Sequence, residues 1–445
     1  MTTLAPVPAR AVGADRDPSL DLLRAACTVL VVLVHGMMVG VTVVGGAPVF
    51  ENAMETAWFA PVSWFVQMMP LFFLAGGATA IGSWRRGRAR GTRAGAFVAG
   101  RIRRLLAPAV VAMAVMGAGL VALTLAGVPA EIVATAGFRM SQPLWFLGVF
   151  LLVQALVPAM VALHERSRAW GLAGPLLAVL AIDVGRFATG VDAIGFLGLA
   201  AVWLFVQQLG FVLGEGTAQR LPADARVGAV AALVGLIAVL TIIAPYSADA
   251  YVNLNPPTLV LAILAIAQML ALSLLQPWLR RVARRTIVAG AMDAIGARAM
   301  TVYLWHMPVL IGLAGLLTLA GLAGLAELPA PGTPGWWLSR PLWLAAAAVA
   351  VALVAASAGR FERRVFGPAA SGGRVAVAAV LAVAAVAVVF VVGLSAAGAA
   401  LSLAVMVAAL RLTGPRGITR APGGRGTAFR AVPRGGIVEG MRSAS

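Results

Sequence analysis

The chain of 445 residues contains no lysine, so all 34 of its basic residues are arginines. That absence excludes a P-loop lysine and a pyridoxal Schiff base together. The single cysteine, Cys27, permits no internal disulfide and no thiolate metal cluster. Lying in an apolar run, it reads as a small packing residue. Charge is scarce too: 11% of residues are charged, about half the share usual in a soluble domain. Residues 1–19 lack the short apolar core and cleavage site of a signal peptide. The first apolar run is therefore expected to act as an uncleaved signal-anchor.

What the chain does have is apolar length. Hydrophobic residues make up 61% of it, and the mean hydropathy is +0.95. Runs of about 20 residues, enough for a helix to cross a bilayer, fall at 22–44, 61–83, 105–127, 142–163, 171–189, 195–215, 227–245, 256–275, 300–325 and 341–358. A further stretch, 376–410, would be about 52 Å long as helix, too long for one ~30 Å crossing and short for two. The fold class expected is an all-α polytopic integral membrane protein. It has ten core transmembrane helices plus a C-terminal apolar segment, either one long span or a helical hairpin. The hairpin is preferred, because "GLSAAGAA" at 393–400 offers a turn. The chain then divides into a disordered cytoplasmic N-terminus (1–19), a transmembrane domain (20–365), the additional span or hairpin (376–410) and a basic disordered tail (411–445).

Arginine placement sets the expected topology. With the N-terminus inside and ten alternating spans, inside segments up to residue 374 hold 24 Arg and outside segments hold three, Arg139, Arg186 and Arg340. Arginine accumulates on the cytoplasmic side of membrane proteins, so this orientation in the cell membrane is strongly favoured. The net charge of +18 is assigned to topology and to anionic membrane lipids, not to nucleic acid.

Titratable groups inside a bilayer are costly, so each raises a functional question. His164 in "HERSR" is expected to be solvated on an inside loop, and Glu51 and Glu55 outside. Asp183 and Arg186, three apart on one helix, read as a self-neutralising pair. His35 and His306 remain. Arg24 precedes His35 by eleven residues, about three turns plus 20°, so the two share a helix face some 16 Å apart along the axis. An elongated ligand anchored at Arg24 by an anionic end would bring a reactive end to His35. Arginine suits phosphate, with its planar fork of donors, and a neutral imidazole suits a general base. His306 lies about 12 Å up the ninth span from the same face and can approach His35 across the bundle. Arg104, bordering the third span in "RIRRLLAP", can add to the anion site, whereas Arg101 and Arg103 read as topology residues.

These residues also carry a resemblance. The chain resembles the membrane-bound acyltransferase-3 family, whose hallmark is Arg, ten residues, then His in the first span. Arg24 and His35 match it within "LDLLRAACTVLVVLVHG", and Asp21 matches the family's Asp-x-x-Arg opening. Further similar segments follow in order: "PLFFLAGG" at 70–77, "RRLLAP" at 103–108, "LWFLGVFLL" at 144–152 with Trp145, "YLWHMPVL" at 303–310, and "RFERR" at 360–364. Ala75 stands where the family has Ser, Gly77 where it has Phe, and Arg364 where it has Pro. The resemblance implies transfer of an acyl group, often acetyl, from acyl-CoA to a hydroxyl of a sugar, glycan or related acceptor. His35 would be the base, and Arg24 would hold donor phosphates, with Arg104, Asp21, His306 and Trp145 as further substrate-binding residues. No bound cofactor is implied; acyl-CoA is a co-substrate. The competing readings are a multi-span transporter or exporter, a haem protein with His35 and His306 as axial ligands, and a scaffold.

Overall fold

The computed structural model describes residues 17–359, 370 and 372–414. The segment "RFERR" at 360–364 and most of both termini lie outside the described residues.

The first helix, α1 (Pro18–Met38), begins at Asp17, whose carboxylate accepts from the Ser19 amide at 3.0 Å, with Pro18 in the first turn. Asp17 also pairs with Arg280 at 2.7 Å. The helix stops short of the expected 44. Residues 39–44 form β1 (Val39–Val44), which pairs antiparallel with β2 (Ala47–Asn52) through Gly45 and Gly46. "VGVTVV" is rich in β-branched side chains, and both turn glycines take positive φ, as a two-residue hairpin requires.

The remaining helices follow in order. They are α2 (Phe59–Ser63), α3 (Met69–Ala89), α4 (Ala94–Leu125), α5 (Ala130–Ser141), α6 (Leu144–Arg166), α7 (Arg168–Thr189), α8 (Asp192–Gly195), α9 (Gly198–Gly214), α10 (Ala223–Ile243), α11 (Leu259–Ala283), α12 (Thr286–Gly296), α13 (Ala299–Leu322), α14 (Pro334–Ala358), α15 (Gly372–Val392) and α16 (Ala396–Thr413). Among the described residues, eleven helical segments are long and apolar enough to cross a membrane, taking α5–α6 and α8–α9 as continuous stretches. The protein is an all-α polytopic membrane protein. Helix α3 lies outside the eleven by composition although it has 21 residues. More than half of it is buried against other helices, so it needs no apolar outer face.

Glycine sets how closely α3 meets α9. A Cβ added at Gly77 would lie 2.5 Å from the Gln207 carbonyl oxygen, and one at Gly210 would lie 2.5 Å from that of Leu74. Backbones can touch here only because no side chain intervenes. Phe73 stacks on Trp203 beside this seam, with ring centroids 4.4 Å apart.

The stretch expected as one span or a hairpin is two antiparallel helices, α15 and α16, packed on α4 and α6. They begin before 376 and end after 410, which supplies the length the apolar run alone lacked. Gly393 turns the chain at φ +83°, and Ser395 caps α16 by accepting from the Gly398 amide at 3.0 Å. The Arg103 guanidinium donates to the Thr413 hydroxyl at 2.9 Å and to the Thr413 carbonyl. It thereby caps the last carbonyl of α16, which also accepts from the Ala370 amide at 2.9 Å.

Two sequence expectations fail. His164 is not a solvated loop residue: it is 4% exposed in the last turn of α6. Its Nδ1 faces the Gln208 side-chain oxygen at 2.8 Å, and its Nε2 faces Glu215 at 3.2 Å. Glu215 also pairs with Arg85 at 2.8 Å and Arg168 at 2.6 Å, while Arg85 and Arg88 grip Glu165. This network ties α3, α6, α7 and α9 at their arginine-rich end. Asp183 and Arg186 do not form their pair either. Asp183 accepts from the Tyr246 hydroxyl at 3.0 Å and the Leu259 amide at 2.8 Å, whereas Arg186 binds Asp192.

Two predictions follow from packing and charge. Gly210→Ala should lower stability by about 3 kcal/mol, the upper end for overpacking, while Gly119→Ala, where a Cβ meets nothing within 4 Å, should not. Thermal midpoints of the two purified variants check this, and equal midpoints would count against a backbone seam. Burial pushes the Glu215 carboxyl up, but hydrogen bonds from His164 and Arg85 outweigh it and hold the group below its ordinary 4.5. A depressed carboxylate stabilises the fold above 4.5, and that contribution is lost as pH falls through the lowered value. Glu215→Gln should therefore be less stable than wild type at neutral pH, with the gap closing on acidification. A gap that persists at all pH would reject this linkage.

Candidate active site

Helix α1 delivers two polar side chains to one interior surface. Arg24 and His35 both line a cavity of about 410 Å³ enclosed by α1, α3, α4, α6, α13 and the loop before α11. Helical periodicity put them on one face, and the fold turns that face inward. The Arg24 guanidinium stands 6.0 Å from the centre of the Phe72 ring.

Two more arginines meet Arg24 at the same end. Arg104 lines the cavity as expected, and so does Arg101, which is therefore not a topology residue alone. Arg101 lies over Phe97 at 4.9 Å and donates to Ser83 at 3.2 Å. Positions 101 and 104 are three apart and share a helix face, whereas 103 is about 200° round from 101. Arg103 accordingly turns away to cap α16. Spacing alone held this signal, since an i, i+3 pair containing Arg104 had to include Arg101.

The opposite end of the cavity is lined by Gln142, Trp145, Tyr251 and Asn255. Trp145 stacks toward Trp203, with ring centroids 6.0 Å apart. Phe72, Gly76 and Thr79 of α3 form a side wall. Ala75 is fully buried and Gly77 meets α9, so these departures from the family pattern concern helix packing rather than the cavity wall. Asp21 does not join the residues lining the cavity; it lies in the first turn of α1.

His306 comes to His35 across the bundle, the ring centroids 5.0 Å apart and the planes tilted by 59°. The two rings have parallel hydrogen-bond assignments. His35 Nδ1 lies 2.9 Å from the Val31 carbonyl oxygen, and His306 Nδ1 lies 2.6 Å from that of Tyr303. A carbonyl oxygen only accepts, so each Nδ1 carries the hydrogen and each neutral ring keeps its lone pair on Nε2. His306 Nε2 is buried with no hydrogen-bond partner among the described residues. Tyr303, one turn before His306, is fixed by donating to the Pro143 carbonyl at 2.6 Å.

As they stand, the two rings are closer together than a pair of axial haem ligands. Imidazoles bound on opposite sides of a metal at about 2 Å would hold their ring centres roughly 6 Å apart with a porphyrin between them; here they are 5.0 Å apart.

Neither curated proteins nor solved structures gave a match to this chain. A family model described as an acyltransferase domain matches residues 17–359, a span that takes in every residue of the cavity wall. With the first-span Arg and His on one cavity and the family match over more than three quarters of its length, the chain belongs to the acyltransferase-3 family of membrane acyltransferases.

Proposed function

We propose that this acyltransferase moves an acyl group, acetyl in the simplest case, from acyl-CoA to a hydroxyl of a sugar, glycan or related acceptor. The arginine-rich end would face the cytoplasm across the cell membrane. One observation carries the reading: a single cavity holds Arg24, Arg101 and Arg104 at one end and His35 farther along the same helix. Acyl-CoA is a polyanion on a long thin arm. Phosphates held among three guanidinium groups would let the thioester reach inward along α1 toward the imidazole.

The chemistry then follows from the ring assignment. The acceptor hydroxyl gives its proton to His35 Nε2 as its oxygen attacks the thioester carbon. The tetrahedral intermediate expels CoA thiolate, which takes that proton back from the ring. General-base help of this kind contributes about 10²–10⁴-fold. His306 offers a lone pair and no N–H on its Nε2, so as a neutral ring it cannot polarise the thioester carbonyl. It suits a hydroxyl or an N–H as partner, either from the acceptor or from His35 once protonated. Gln142, Trp145 and Asn255 give the far end the aromatic and amide character that a polyhydroxylated acceptor needs.

Two predictions test this. Arg24→Ala and Arg101→Ala should each raise the KM for acyl-CoA about tenfold or more, the value of a charge-assisted contact, with far less change for acceptor. Equal effects on both substrates would argue against a donor-phosphate site. With labelled acetyl-CoA and an envelope and metabolite extract of the native host, membranes carrying wild type should transfer label to a new product. His35→Ala should lose about 10²-fold or more of that rate while still binding donor. Transfer undiminished in His35→Ala would remove the base from the mechanism.

A further inference from the structure

A second cavity, also about 410 Å³, lies at the end of the bundle opposite the arginine cluster, between β1, α13 and α14. Its floor is apolar, formed by Leu313, Leu317 and Trp343. Leu316 and Leu342 line it and are also exposed, so its mouth opens sideways on the outer surface of the helices. Two charged residues border it, Arg340 and Glu327.

Arg340 is held in an unusual way. Its guanidinium lies 4.4 Å over the Trp336 ring and 5.5 Å from that of Trp343. It donates to the Val39 carbonyl at 3.3 Å and to the Ser339 hydroxyl at 3.1 Å. Every one of these partners is neutral. Among the described residues no carboxylate comes within ion-pairing distance of it, and Glu327, although on the same cavity, is exposed and unpaired with it. Arg340 is six residues past the start of α14, about 9 Å into the helix. With α14 crossing a bilayer, a fixed cation in its second turn, beside an apolar slot, would stand near the change from acyl chain to headgroup.

We propose that this cavity binds one aminophospholipid, with its phosphate on Arg340, its ammonium on Glu327 and its acyl chains along α13 and α14. The volume lies within the roughly 300–1,000 Å³ of small-molecule sites. Arg340 supplies the planar donor fork that phosphate takes, already oriented by two indoles and a backbone carbonyl. A purely anionic headgroup would leave Glu327 opposed by like charge, whereas a primary ammonium satisfies it. The site is separate from the acyl-transfer cavity and does not depend on that chemistry.

The test uses the full chain, purified in detergent and stripped of lipid. Dioleoyl phosphatidylethanolamine, phosphatidylcholine and phosphatidylglycerol are titrated separately, and bound lipid is counted by native mass spectrometry. Wild type should bind one phosphatidylethanolamine about three- to fivefold more tightly than phosphatidylglycerol, the value of an exposed ion pair. Arg340→Gln should weaken all three by about tenfold, the loss of a charge-assisted contact. Glu327→Gln, on an exposed loop, should bring phosphatidylglycerol level with phosphatidylethanolamine. Binding unchanged in a monodisperse Arg340→Gln protein overturns the phosphate contact. A preference for phosphatidylethanolamine that survives Glu327→Gln overturns the ammonium contact. If Arg340→Gln does not fold, the Glu327→Gln comparison decides the proposal alone.

Discussion

A guanidinium and an imidazole on one apolar helix cannot both face lipid, and that constraint shapes the bundle. Arg24 and His35 share a face of α1, so that face must be turned to an interior space lined by protein. The cavity is therefore a condition of placing this helix in a membrane, as well as the seat of the proposed chemistry. The tight α3–α9 seam, closed by Gly77 and Gly210, lets α3 stand inside the bundle as the cavity's side wall. The ion-pair network around Glu215 holds the same helices together at the end where the arginines gather.

Helix α4 shows how one basic segment can serve two structures. Arg101 and Arg104 look into the cavity, while Arg103 looks out to the end of α16. The C-terminal hairpin, which lies beyond the matched acyltransferase domain, is thus anchored on the helix that supplies two of the cavity's cations. Packing of Ser402 against the Ala385 carbonyl, at 2.7 Å, keeps the two hairpin helices in register.

Much of this was legible in the residues. Hydropathy located nearly every span, because lipid contact demands apolar length, and the three-turn spacing placed Arg24 and His35 together. Contacts between distant segments were not legible. His164 sits among polar neighbours in "HERSR", yet Gln208 and Glu215, some 45 residues on, draw it into the interior. Asp183 and Arg186 have the spacing of a pair, yet Tyr246, Leu259 and Asp192 offer each a better partner. Arg101 was missed because a positive-inside explanation already accounted for it, although its helical phase with Arg104 told against that. The strand after Met38 was hidden because valine serves a membrane helix and a hairpin equally well.

That early end to α1 has an electrostatic consequence. His35 lies in the last turn of the helix, three residues before the backbone leaves it. The carbonyls of a helix C-terminus carry partial negative charge, which stabilises a nearby cation by about 0.3–1 kcal/mol and more when partly buried. In the proposed reaction the His35 ring gains positive charge as it draws the acceptor's proton. Had α1 run on to residue 44, those carbonyls would lie more than a turn beyond the ring. The hairpin thus makes the first helix finish where a transient imidazolium would form, and places a dipole there that no charged side chain has to supply.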